Sequence, residues 1–372
     1  MAVNYHIGAF PPESLDLEML FPLIGPASAA VARYEGVLSG IPNPNVLLSP
    51  LTSQEAVLSS RIEGTQATLG EVLEFEASKG GNDESTPKKA DIREVLNYRR
   101  ALNEAVRMLD EGLPLSQRLI KKTHEILMDG VRGRNKDPGE YRKIPNWIGP
   151  HGCSIEDARF VPCSADNLAD CMASWESYIH TEAPDRVVQL AIAHAEFEAI
   201  HPFLDGNGRL GRLMVPLFLH SKGLLSRPNF YLSEYLEEHR DEYYDRLLAI
   251  SSENDWTGWV AFFLRAVTEQ AESNIRKADE ILKLHTKLRD WIVDETHSQY
   301  GVRALDWMFV QPIFQPPSFI QDVQIPGATA RRIVRLLREN GMLRELQPAS
   351  GRRPAILAFS ELLNIAEGKS AF

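Results

Sequence analysis

Apolar positions recur at three- and four-residue intervals over most of the chain and predict a mainly α protein. Proline and glycine punctuate the first fifty residues (Pro11, Pro12, Pro22, Gly25, Pro26, Gly40) and leave room for one short helix near residues 27–38. Thr52 followed by Glu55 has the spacing of a capping box, opening an amphipathic helix that runs to about Ile62 and stops at Gly64. A second helix covers residues 69–77, and the polar stretch from Ser78 to Ala90 reads as a surface loop. Ile92, Val95, Leu102, Val106 and Leu109 then mark a long helix, and Leu119, Ile126 and Leu127 mark the next.

The segment from Gly139 to Gly149 breaks this habit, because its glycines and prolines bracket alternating bulky residues; it predicts a β-hairpin. Helices return over residues 167–181 and 185–200, and the second is apolar on most faces, as a buried central helix is. Another runs from about Leu210 to Lys222, with a bend expected at Pro216, and more follow to about Lys287. Near residue 300 the pattern changes. A helix over 328–340 ends at Gly341, and residues 343–359 alternate around the turn Gly351, Arg352, Arg353, Pro354, which predicts a winged helix-turn-helix. The expected domains are an amino-terminal helical region (1–90), a central domain (91–280) and a winged-helix domain (281–372).

Composition narrows the partners. With 40 Lys and Arg against 51 Asp and Glu, the 372-residue chain has a formal charge of −11, so it lacks the global basic field of a non-specific nucleic-acid binder. Three cysteines, none in a CxxC pair, argue against a disulfide framework and for a reducing compartment. No leader-like or membrane-spanning run is visible, so a cytoplasmic protein without a membrane partner is expected.

Chemistry concentrates in HPFLDGNGRLGR, from His201 to Arg212, between two apolar helices. Gly206 and Gly208 free the backbone to turn N–H groups inward at a helix start, where the dipole favours an anion. Arg209 and Arg212 are three apart, so both guanidinium groups can reach that anion. Asp205 beside an anion site repels it unless a divalent cation intervenes, and carboxylate plus phosphate oxygens is a common Mg²⁺ environment. His201 can take a proton from a hydroxyl near neutral pH. Together these parts describe phosphoryl or nucleotidyl transfer, and no P-loop is present.

This loop matches every fixed position of the HxFx(D/E)GNGRxxR signature of the Fic family (Fic/Doc superfamily), and the chain resembles that family over roughly residues 10–275. The resemblance implies a Fic-type helical core with a hairpin flap, and transfer of AMP from ATP to a hydroxyl side chain (Ser, Thr or Tyr) of a protein. It implies that His201 is the catalytic base and that Asp205 holds Mg²⁺. ATP contacts are implied for Glu63, His201, Gly206, Asn207, Gly208, Arg209, Leu210, Gly211 and Arg212. Tyr244 is assigned to the nucleoside pocket by resemblance of the region only, with Tyr243 the plain core alternative. Doc-like kinases have Lys where Gly208 stands, which favours adenylylation here; phosphate or phosphocholine as the transferred group stays open.

Ser59 to Gly64 fits the [ST]xxxE[GN] motif of Fic self-inhibition. The resemblance implies that Glu63 pairs with Arg212 and withdraws it from the γ-phosphate; a solvated Glu63, or one paired with Arg61, is the plainer alternative. It also leaves open removal of AMP, self-modification and a homodimer. The flap residues Ile144, Pro145, Asn146, Trp147 and Ile148 would pair with an extended target segment. Between Gly327 and Pro354, seven arginines against Glu339 and Glu345 give a local excess of +5, which suits DNA contact, a protein adaptor role or plain solvation. A nucleotide-sensing winged-helix DNA-binding regulator without transferase activity is the competing reading.

Overall fold

The computed structural model of the chain describes residues 2–78, 87–131, 136–150, 152–351 and 353–372. They divide into two compact units that interleave along the sequence: residues 1–36, 58–64 and 96–272 form one, and residues 37–57, 65–95 and 273–372 the other. The first ninety residues, expected as one region, are therefore shared between the two, and residues 58–64 fall in the unit that carries the HPFLDGNGRLGR loop. The strand and loop structure is sparse and helices dominate.

In the first unit the helix Arg186–Ile200 packs against Asn207–Ser221 on one side and Leu168–His180 on another. Its residues are buried almost all round, as the apolar pattern predicts. Indole N–H groups of Trp175 and Trp259 donate to the carbonyls of Ala193 and Ala191, both at 2.8 Å, so two large side chains are buried beside this helix without an unpaired donor. Each fully buried Leu, Ile, Val or Phe around it contributes about 1.5–3 kcal/mol.

Three expectations are corrected. The first helix spans Leu17–Gly40 and passes through Pro22 and Pro26. Both prolines stand on its exposed side, where a carbonyl that loses its N–H partner stays in water, while Leu20, Ala27, Val31 and Tyr34 form the buried stripe. The helix expected to start at Thr52 begins at Ser49, and Thr52 instead returns its hydroxyl to the Leu48 carbonyl at 3.3 Å. A capping box does exist, at Thr68 and Glu71, opening Leu69–Ala77 in the second unit. The hairpin within Gly139–Gly149 does not form: the segment has no strand of its own, and only Ile148 bridges, to Phe160. Phe160–Val161 pairs in turn with Val3–Asn4 in a parallel ladder. The expected loop between Ser78 and Ala90 lies mostly outside the described residues, as does Arg352.

In the second unit a helix Gly301–Val310 leads to the strand Ile313–Phe314, the helices Pro316–Asp322 and Gly327–Glu339, and the strands Arg344–Gln347 and Ile356–Ala358. The strand Ile356–Ala358 is central in an antiparallel sheet, flanked by the other two. Phe314, Phe319, Ile333, Leu337 and Leu357 form its core. Arg332 donates to the Thr296 carbonyl and Arg338 pairs with Glu345 at 2.6 Å, so part of the basic excess is used within the unit. Among the described residues no helix is long and apolar enough to cross a membrane.

Candidate active site

The helix Arg186–Ile200 is capped by Asp185, whose Oδ1 accepts from the N–H groups of Val187 and Val188 at 2.8 and 2.9 Å. At its other end His201 takes the left-handed conformation (φ 51°), donates its N–H to the Phe197 carbonyl at 3.1 Å, and turns the chain into the loop. Asn207 holds that loop with both ends of its amide: Oδ1 accepts from Phe203 N–H and Nδ2 donates to the Phe203 carbonyl, each at 2.8 Å. Gly206, at φ 76°, caps the helix Asn207–Ser221, so the helix starts where the sequence pattern places its glycines. Because Asn207 is buried, Asn207→Ala removes both bonds and strands a buried N–H. The expected cost is about 2–4 kcal/mol, read as a melting temperature several degrees lower; an unchanged melt would contradict the clamp.

Two residues that local pattern did not reveal complete the support. His124 donates from Nε2 to the Asp205 carbonyl and accepts at Nδ1 from Gly139 N–H, both at 2.9 Å, with its ring stacked 3.8 Å from that of Phe203. Arg142 donates from Nε to the His201 carbonyl at 2.9 Å and from Nη2 to Ile200 at 3.1 Å and to Cys163. Their partners lie far off in sequence, so no spacing rule could find them.

Arg212, on the helix Asn207–Ser221 and 1% exposed, meets the end of Ser49–Ile62. It donates from Nε to Ser59 Oγ at 3.0 Å, and from Nη2 to the Ser59 carbonyl at 2.8 Å and to Glu63 Oε1 at 2.6 Å. Burial pushes the Glu63 carboxyl up, but the charge and hydrogen bond of Arg212 outweigh it and hold the carboxyl below its ordinary range. The Glu63 carboxylate rests over Gly208, where an added Cβ would lie 2.2 Å from Oε1. Gly211 is closed in the same way by Glu198. Leu210 points into the core and Arg209 is buried, with Nη2 3.8 Å from both the Met128 sulfur and an Asp205 carboxylate oxygen. Tyr243 is a core residue bonded to His194 at 3.0 Å, whereas Tyr244 is half-buried, with Arg240 5.9 Å from its ring centre.

His201 Nδ1 lies 3.3 Å from the Glu198 carbonyl, which can only accept. Nδ1 therefore carries the proton, and Nε2 keeps a free lone pair. Burial lowers the imidazole to about 4, so it is neutral at pH 7, with the Nε2 lone pair unprotonated. His124 and His194 are pushed down to about 4 and about 3, also by burial. All three bind protons more weakly folded than unfolded, so stability should fall as pH drops from about 6.5 towards 4. Glu198 acts in the opposite sense, since burial raises it to about 7 and the folded state then binds its proton more tightly. Three groups against one leave the net sign acid-labile. The urea midpoint is expected to decline between pH 7 and pH 5, and a rising midpoint would contradict the neutral histidines.

Asp205 accepts Gly206 N–H at 2.7 Å on Oδ1 and the Lys136 ammonium at 3.1 Å on Oδ2. No group of three or more His, Cys, Asp or Glu side chains that could hold a metal exists among the described residues. One partly exposed carboxylate beside an anion site fits Mg²⁺, which takes few protein ligands and completes its shell with phosphate and water. Ile144, Pro145, Trp147 and Ile148, the segment expected to be a flap, are exposed, and Asn146 between them donates to the Phe203 carbonyl at 3.0 Å.

The Fic/DOC family N-terminal model matches residues 21–107, and the Fic/DOC family model matches residues 114–219. Protein adenylyltransferase fic-1 of Caenorhabditis briggsae is 30% identical over 186 residues, covering 47% of this chain and 32% of that one. A probable protein adenylyltransferase of Aquifex aeolicus is 29% identical over 184 residues, covering 48% of this chain and 51% of its own length. The chain thus spans about a third to a half of these relatives. The crystal structure of a Fic family protein from Desulfovibrio desulfuricans superposes with a TM-score of 0.57 at 22% identity, covering 94% of this chain and 98% of that one, a likeness of fold.

Proposed function

The chain belongs to the Fic/DOC family, and from that premise we propose that it is a protein adenylyltransferase, moving AMP from ATP to a hydroxyl side chain of a target protein. The observation that carries this reading is His201, whose Nδ1 faces the Glu198 carbonyl and so leaves Nε2 as the acceptor, at the head of the short loop whose glycines and arginines open the next helix. In the reaction the target hydroxyl oxygen bonds to the α-phosphorus while its proton passes to His201 Nε2. The bond from the α-phosphorus to the oxygen bridging to the β-phosphate breaks, and diphosphate departs. The first amides of the helix Asn207–Ser221, with Arg209 and Arg212, offset the phosphate charge. Asp205 is the residue that would hold Mg²⁺, which when bound neutralises phosphate charge.

The contact of Glu63 with Arg212 supports a restraining role for Glu63 and Ser59, since a guanidinium engaged by three acceptors is less available to a γ-phosphate. The exposed flap, with Ile144 58% accessible, supports docking of an extended target segment. The strand and helix order of residues 301–358 supports a winged-helix reading of the tail. To test the reaction, the protein is incubated with Mg²⁺ and ATP labelled at either the α- or the γ-phosphate. The α-label is expected on protein and the γ-label in solution; protein carrying only the γ-label would replace this reading with phosphorylation.

A further inference from the structure

Outside the loop, two thiols stand together. The sulfurs of Cys163 and Cys171 are 3.1 Å apart, inside ordinary van der Waals separation, and both are free. Cys171 lies in the first turn of the helix Leu168–His180, where the helix dipole favours an anion, and it is partly accessible. Cys163 is buried, and its carbonyl accepts from the same Arg142 guanidinium that holds the carbonyls of Ile200 and His201.

We propose that Cys163 and Cys171 form an oxidisable dithiol, which closes to a disulfide when a peroxide reaches it and is felt at His201 through Arg142. Cys171 is the attacking group. The hydrogen bond from Cys163 lowers its thiol to about 7 against the opposing effect of burial, whereas Cys163 is raised. Its thiolate bonds to a peroxide oxygen as the O–O bond breaks, leaving a sulfenic acid and hydroxide. The Cys163 sulfur then bonds to the Cys171 sulfur as the S–OH bond breaks. The protons of both thiols end in water, so two thiols and hydrogen peroxide give one disulfide and two waters.

Closing the bond draws the sulfurs to about 2.05 Å. The approach pulls on Cys163, whose carbonyl Arg142 holds, and is expected to loosen that guanidinium's hold on the His201 backbone. Cys153 has no neighbouring thiol among the described residues and serves as an internal control.

The test treats the intact protein with hydrogen peroxide, blocks remaining thiols with N-ethylmaleimide and measures mass. The expected product retains one blockable thiol, Cys153, and the peptide holding Cys163 and Cys171 is lighter by two hydrogens, a change that dithiothreitol reverses. Hydrogen exchange of amides within residues 200–206 should quicken roughly tenfold on oxidation. Cys171→Ser should show neither change, and Cys163→Ala provides the same control from the other side. Three thiols still blockable, or oxidation confined to Cys153, would overturn the dithiol. A disulfide that leaves exchange at residues 200–206 unaltered would overturn its link to His201. Neither arm depends on which group the protein transfers.

Discussion

Glu63→Gly is expected to raise AMP transfer roughly ten- to a hundredfold. The carboxylate is one charge-assisted partner of Arg212, at 2.6 Å, and such a bond contributes about 1.5–3 kcal/mol, which corresponds to that range. Removing it leaves the guanidinium tied to Ser59 through two bonds, so the side chain stays in place while its charge loses a counter-ion. An incoming phosphate then supplies the missing anion. The variant should unfold more easily without nucleotide and recover with it, because binding to the folded state adds stability by mass action. Intact mass after incubation with ATP and Mg²⁺, together with label transfer to a lysate, reads the effect. A variant no faster than the parent would remove Glu63 from the control of this site.

The second large effect is loss of transfer, by about a thousandfold, when His201 is replaced, since a positioned general base contributes roughly 10² to 10⁴. The choice of replacement matters. His201 has φ 51°, a conformation that Ala adopts at a cost and Asn tolerates well. His201→Asn should therefore keep the loop geometry and the melting temperature while abolishing proton removal, whereas His201→Ala should lose both activity and some stability. Nucleotide binding measured by calorimetry is expected to survive in the Asn variant. Label transfer by His201→Asn at the parent rate would dismiss the histidine as base.

What the sequence made legible was whatever is local. The helix Arg186–Ile200 declares itself because consecutive residues are apolar, and the loop because its glycines, arginines and histidine fall within twelve positions. Glu63 was legible as a motif, although its partner was known only by resemblance. His124 and Arg142 were hidden for the opposite reason: each acts through backbone carbonyls far along the chain, which impose no spacing on the sequence. The strands Val3–Asn4 and Phe160–Val161 are two residues each, too short to alternate, and their pairing follows from tertiary structure. Prolines misled the reading of Leu17–Gly40, because their cost depends on whether the orphaned carbonyl meets water, a matter of which face is exposed.

Gly208 carries a consequence for how such chains can diverge. The volume that its side chain would fill is taken by the carboxylate of Glu63, so the glycine of the loop and the glutamate of an earlier helix end share one space. Any larger residue at 208 expels the carboxylate whatever else it does, and a lineage that acquires one has no further use for Glu63. Among variants recovered from a random library, loss of Glu63 should therefore add little once Gly208 has been replaced by a larger residue.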